Sequence, residues 1–343
     1  MRYTIFNYLT KLKTFLFCIC LGAVPAAADI DKLDIQYGSL FPGGVYISDL
    51  DKFFADELKK RSDGKINIDL HFSNALGTPA EIIPLIGSGA VGMGGIVTGY
   101  HFGELPFASL TNAVPATFNS ASVLGITANL FENNKTIRSE FDRNNLHPIF
   151  LRHLPEYTLI CTKPMRTMAD LKGIKIRTYG AYIPKMVEAM GAVPVNLSIG
   201  EMYESLQRGV VDCVYWTKSL TVPFKLHEVA KYVSDLELGA INAVTIFTSQ
   251  DNWNSWSEDT RSLIKQVAAE ATAMSLPLTQ DVEKAAAVVM AENGVQMIEF
   301  QEKEKLLALI PDMLDLWVDQ ISNKFPNLRD EALKTVNDVR AMM

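Results

Sequence analysis

Strand and helix patterns alternate twice along this chain, and that repetition leaves few folds open. KLDIQYG (Lys32 to Gly38) reads as a short strand, and after FPGG the segment Ser48 to Arg61 sets Leu50, Phe53, Phe54 and Leu58 at helical spacing before Asp63-Gly64 ends it. KINIDLHF then alternates Ile66, Ile68, Leu70 and Phe72, the signature of a half-buried strand. TPAE (Thr78 to Glu81) combines capping-box spacing with a proline at an expected first helical position, and Gly87 to Gly89 close that helix before the strand VGMGGIV. The order returns in IKIRT, IPKMVEAM, VPVNL, the capping box SIGE (Ser198 to Glu201), MYESLQRG and VVDCVYW. Two α/β halves are expected, each a mainly parallel sheet with helices on its faces.

The C-terminal third departs from this rhythm. From Glu258 to about Glu292 the chain is rich in Ala, Glu, Lys and Leu and is interrupted mainly by Pro277, which predicts one long kinked helix or two in tandem. A helix of that length is expected to run along both halves and tie them together. A strand, VQMIEF, and further helices follow it. With no low-complexity linker between the halves, strand or helix crossings must join them.

The first residues are expected to be removed. Arg2, Lys11 and Lys13 precede the apolar run Thr14 to Val24, and PAAAD places Ala26 and Ala28 around a cut before Asp29, so 1–28 reads as a secretory signal. The run is too short to span a bilayer. No later stretch approaches membrane length, so no membrane insertion of the mature chain is expected. The formal net charge is −7, or −10 without those three basic residues. An acidic chain without a Lys/Arg run is a poor nucleic-acid binder, although a local site for a small anion stays open.

Only Cys161 and Cys213 remain after the predicted cleavage. An oxidising compartment permits them to pair, yet a chain of this size needs no staple, and two buried thiols satisfy the pattern as well. Two cysteines and five scattered histidines offer no metal cluster, and no cofactor is expected. GSGAVG (Gly87 to Gly92) matches G-x-G-x-x-G, but the dinucleotide fingerprint needs a strand before and a helix after, and the reverse holds here. The motifs G-x-S-x-G, H-E-x-x-H and G-x-x-x-x-G-K-[ST] do not occur, and no nucleophile stands with a partner base, so the chain reads as no enzyme.

What remains gathers at predicted strand ends. Phe41, Tyr100, Tyr179 and Trp216 each follow a predicted strand, at the edge where open α/β sheets collect ligands. In GIKIRTYG (Gly173 to Gly180), Arg177 stands at the carboxyl end of its strand, just before a helix N-terminus. A planar guanidinium there offers a carboxylate two parallel hydrogen bonds, which lysine cannot copy. Glu81 is a further candidate contact, although its capping position already accounts for it. Trp253 and Trp256 in NWNSWS read as packing around a helix start.

DLKGIKIRTYG, MGAVPVNLSIGEMYESLQRGVVD and LKKRSDGKINIDLHFSNALGTPAEIIPLIGSGAVGM together resemble the solute-binding proteins of tripartite ATP-independent periplasmic (TRAP) transporters, of the DctP type. The resemblance covers nearly all of the mature chain. It implies a two-lobed periplasmic-binding-protein fold with a hinge, crossing segments and a long lobe-spanning helix, closing over one ligand in the cleft. Lobe I would hold 29–150 and about 242–281, and lobe II 151–241 and about 282–343. Arg177 occupies the position of the family's arginine in K-I-R-T, which binds the ligand carboxylate. Arg152 in FLRHLPEY looks like a second charge contact and Trp216 like a wall of the site, with Tyr100, Phe41 and Tyr37 expected as first-lobe contacts.

One departure bears on the ligand. The family usually has V-V-D-G where this chain has VVDC, and Val214 and Tyr215 are less polar than in members that bind sugar acids or a metal. Trp216 and Tyr179 instead suggest a carboxylate with an apolar or aromatic body. The function implied is periplasmic capture of a small organic acid by a monomer that delivers it to TRAP membrane permease subunits. An ATP-driven importer's binding protein, betrayed by neighbouring genes for an ATPase, is the alternative, followed by an exported enzyme that would turn the acid over.

Overall fold

The computed structural model describes residues 29–343, so the proposed signal segment 1–28 lies outside the described residues. The first sheet has the order β2-β1-β3-β10-β4, from β1 (Leu33–Gly38), β2 (Ile66–His71), β3 (Met93–Ile96), β4 (Leu146–Leu154) and β10 (Ile241–Ser249). The second has the order β11-β9-β5-β8-β6-β7, from β5 (Thr158–Cys161), β6 (Lys175–Thr178), β7 (Val193–Asn196), β8 (Cys213–Trp216), β9 (Tyr232–Ser234) and β11 (Gln296–Ile298). The strands that follow the predicted alternation, β1 with β2 and β3, and β6 with β7 and β8, pair in parallel.

The crossing strands run the other way. β10 is antiparallel to β3 and β4, and β5 is antiparallel to β8 and β9. The chain therefore leaves the first sheet after Leu154 and re-enters it at Ile241, which makes both sheets mixed. Every residue of β10 is buried, as a strand in the interior of a sheet covered on both faces must be.

The sheet edges explain the local patterns. β2 is an edge strand and only Ile66 is fully buried in it, which accounts for its apolar/polar alternation. The helix Asp49–Arg61 buries Leu50, Asp51, Phe54, Ala55 and Leu58, one stripe at helical spacing, and ends in Lys59, Lys60 and Arg61, which complement its C-terminal dipole. The capping box at Ser198 and Glu201 forms as the spacing predicts. At Thr78 the outcome differs, because Thr78 to Glu81 makes a turn and the helix starts at Ile82. The Glu81 carboxylate accepts from the Thr78 amide and hydroxyl at 2.9 and 2.7 Å, so the reciprocal bond exists without the helix around it.

One continuous helix, Glu258–Glu292, carries Pro277 inside it. Ser257 caps its start by accepting from Thr260 N. Its first half lies on β4, where Thr272 and Ser275 hydroxyls accept from Leu151 N and His153 N. Further on, Glu283 accepts from Ser219 N at 2.6 Å and pairs with Lys218, just beyond β8 of the second sheet. The helix thus bridges the two sheets through named polar contacts at each end.

The last helices reach residues that precede β4: Trp317 Nε1 donates to Pro106 O and its ring meets Phe107 edge-on at 5.1 Å, while Asn134 donates to Thr335 Oγ1. Trp317 and Ile321 share the buried stripe of the helix Met313–Lys324, and Trp317 sets that stripe against the turn at Pro106 and Phe107. The sequence left the two cysteines open between pairing and free thiols, and here Cys161 and Cys213 form a disulfide. They face each other in the β5–β8 register, both buried, a proximity that the antiparallel crossing creates.

Candidate functional site

Arg177 sits in β6 between β8 and β7, opposite Val214 and Val195. Only 1% of its surface is exposed. Its Nε donates to Leu197 O at 3.0 Å, and its guanidinium carbon lies 4.8 Å from the centre of the Tyr179 ring and 5.5 Å from that of Trp216. Nη1 is buried with no hydrogen-bond partner among the described residues. A buried N–H left unpaired costs roughly 1–3 kcal/mol, more on a charged group, so native structures keep such groups where something will meet them.

Aromatic side chains wall this cation on several sides. Trp216, at the carboxyl end of β8, packs edge-on to Tyr157 and Phe224, and its Nε1 is a second buried donor without a partner among the described residues. Tyr179 meets Tyr100 edge-on at 5.7 Å, and Tyr157 stacks on Tyr215 at 4.4 Å. Burial pushes the phenols of Tyr179, Tyr157 and Tyr215 up, so all three stay neutral. Burial also raises Tyr100, against the pull of the nearby Arg177 charge. Tyr100 follows β3 of the first sheet, so its contact with Tyr179 brings the two lobes together over Arg177, and Gly99 and Gly180 meet beside it.

Arg152 lies deeper, on β4, and is fully buried. Its Nη1 donates to Asp51 at 2.6 Å and to Ile47 O at 3.2 Å. Asp51 also accepts from the hydroxyls of Tyr37 at 2.5 Å and Ser39 at 3.0 Å. The Nε and Nη2 of Arg152 have no partner among the described residues. Nη2 points at β3, since a Cβ added to Gly95 would fall 3.3 Å from it. Gly95 also borders a cavity of about 10 Å³ lined by Ser39, Asn74, Val97 and His101, room for one water at most. Tyr46 links the two arginine groups: it feels the Arg152 charge, and its hydroxyl lies 3.3 Å from Ser219 Oγ, just past Trp216.

Of the eight candidates, the structure gathers Arg177, Trp216, Tyr179 and Tyr100 around one point. Arg152 lies beneath, with one face of its guanidinium committed to Asp51. Tyr37 is committed to the same carboxylate through its hydroxyl. Phe41 is buried in the loop after β1, and Glu81 is exposed with its carboxylate held by Thr78. Sequence reasoning missed Tyr46, Tyr157, Tyr215 and Asp51. The signal for Asp51 was present, since it shares the buried stripe of its helix with Phe54 and Leu58. Among the described residues no group of three or more His, Cys, Asp or Glu could hold a metal, and no helix is long and apolar enough to cross a membrane.

Residues 42–313 match the family model of the bacterial extracellular solute-binding proteins, family 7, the DctP family. The chain belongs to this family. It is accordingly a solute-binding protein. A solute-binding protein of Roseobacter denitrificans is 25% identical over 269 residues, 76% of this chain and 80% of that protein. The fold is shared with a TRAP periplasmic solute-binding protein of Sulfitobacter crystallised with β-D-galacturonate, at TM-score 0.76 and 19% identity over 90% of this chain and 100% of that one. A TRAP periplasmic solute-binding protein of Desulfovibrio salexigens with bound orotic acid superposes at TM-score 0.75 and 20% identity, covering 89% of this chain and 99% of that one. Within the family frame, the two sheets are the two lobes of a DctP-type binding protein and the Arg177 cluster lies where they meet.

Proposed function

We propose that this DctP-family protein captures a small organic acid in the periplasm, after removal of residues 1–28, and delivers it as a monomer to the membrane permease of a TRAP transporter. Arg177 holds the carboxylate, with Arg152 and Trp216 contributing further donors and Tyr100 closing the site from the first lobe. The observation that carries this reading is the buried Arg177 guanidinium, whose Nη1 has no partner among the described residues and which lies against the Tyr179 and Trp216 rings of the second lobe, with Tyr100 of the first lobe edge-on to Tyr179. A guanidinium held by rings and one carbonyl meets a carboxylate without having to break an ion pair first, which keeps the charge-assisted bond worth on the order of 1.5–3 kcal/mol.

Closure follows from the same geometry. A bound anion that touches Arg177 on one lobe and groups beside Gly95 and Tyr100 on the other stabilises the closed arrangement by the difference in its contacts with the open and closed states. The aromatic lining favours a flat or apolar body over a freely hydrated one. Orotic acid and β-D-galacturonate, bound by the two structural relatives, bracket that choice between a planar ring and a polyol.

Mass spectrometry of the acid that co-purifies with the protein, followed by a thermal-shift panel of organic acids, tests the reading. Carboxylates with planar or apolar bodies should raise the unfolding temperature most, because a tight ligand stabilises by mass action. A protein that carries no acid and shifts with none of the panel would refute it.

A further inference from the structure

The charges around the site select among organic acids. This step rests on the function proposed above and deepens it. Arg152 already faces an opposite charge, Asp51, at 2.6 Å, and both are fully buried. Lys218, beyond Trp216, pairs with Glu283 at 3.4 Å. The groups around Arg177 are uncharged: the carbonyl of Leu197, the rings of Tyr179 and Trp216, and the nearby phenol of Tyr100, which burial keeps neutral. The cluster therefore presents one unmatched positive charge, and the other buried donors near it without a partner among the described residues, including Arg152 Nε and Nη2, Trp216 Nε1 and the hydroxyls of Thr98 and Thr178, belong to groups with no second net charge to give.

From this we infer that the protein selects monoanionic carboxylates whose bodies carry neutral acceptors, such as oxo, amide or hydroxyl oxygens, and discriminates against dicarboxylates. One carboxylate cancels the charge of Arg177. A second carboxylate would have to share Arg152 with Asp51, placing two like charges on one guanidinium in a buried site, where each uncompensated ion is expensive. A neutral oxygen in the same place accepts from Arg152 Nη2 or Trp216 Nε1 and adds no charge. The segment Gly95 to Tyr100 runs from beside Arg152 Nη2 to the Tyr179 ring, and so connects the surroundings of the two arginines.

Calorimetry with matched pairs tests this at pH 8, where both ends of each diacid are ionised. Succinate is compared with succinamate, terephthalate with 4-carbamoylbenzoate, and the co-purified acid with its carboxylate-for-amide counterpart. The amide-ended member of each pair should bind at least tenfold tighter to the wild-type protein. Asp51→Asn, which removes the matching negative charge with little change of shape, should narrow or reverse that ratio. Should the variant fail to fold, the wild-type ratios alone decide. A diacid that binds as tightly as its half-amide overturns the monoanion selectivity and leaves the binding function standing. If no acid binds at all, both conclusions fall together.

Discussion

Replacing Cys161 and Cys213 together by alanine opens a loop whose ends are 52 residues apart in sequence. In the chain-entropy model, releasing a loop of that length costs about 4 kcal/mol of stability at 25 °C. With an unfolding entropy of about 2.1 cal/mol/K per residue, that loss lowers the melting temperature of a chain of this size by roughly 6 °C. The two side chains are buried in adjacent strands, so the small void left by losing both sulfurs pushes in the same direction. Either single substitution should cost nearly as much as the double one, since each breaks the same link. Thermal unfolding followed by circular dichroism, with a thiol titration of protein recovered from the periplasm, measures both quantities. Two titratable thiols in the unfolded wild-type protein, or a loss below about 1 kcal/mol in the double variant, would refute this reasoning.

Further outcomes follow from single positions. A methyl group at Gly95 would lie 2.8 Å from Val244 Cγ1 and 3.3 Å from Arg152 Nη2. Gly95→Ala should therefore destabilise by about 1–3 kcal/mol through overpacking, and weaken acid binding by displacing Arg152; unchanged affinity and melting temperature would contradict the placement of Arg152. Burial lowers the His153 imidazole from 6.5 to about 4. The native state thus keeps it neutral, its contribution is complete above pH 6.5, and it is lost as pH falls towards 4, on the order of 3 kcal/mol in all. His147, lowered to about 4 by burial, acts in the same sense, whereas Glu140, raised by burial to about 7, gains stability over the same fall and partly offsets them. His153→Gln, which can keep a bond to Ser275, should flatten the acid limb of melting temperature against pH between 7 and 4.5. An unaltered slope would remove His153 from that balance.

How much of this was legible in the sequence depends on the separation of the partners. Arg177, Tyr179 and Trp216 could be placed because a strand followed by a helix fixes its last residues at the carboxyl edge of a sheet, a purely local inference. The ion pair of Arg152 could not, since Asp51 lies a hundred positions away and looks like any acid on an amphipathic helix until its buried stripe is counted. The disulfide was hidden for a similar reason: β5 and β8 meet only because the chain crosses between lobes and pairs antiparallel there. The contact of Trp317 with Phe107 was not legible either, because the apolar stripe of its helix says that it packs, not on what. Glu81 illustrates the opposite case, since its bond to Thr78 was legible from spacing alone, although it closes a turn and not a helix start.

The account stands on Arg177 as the anion clamp, and titration of the co-purified acid into Arg177→Ala and Arg177→Lys by calorimetry addresses it most directly. Both variants should keep the wild-type circular dichroism spectrum and lose at least tenfold in affinity, about 1.4 kcal/mol, because lysine restores the charge without the paired donors or the fit between the rings. Wild-type affinity in either folded variant would contradict it.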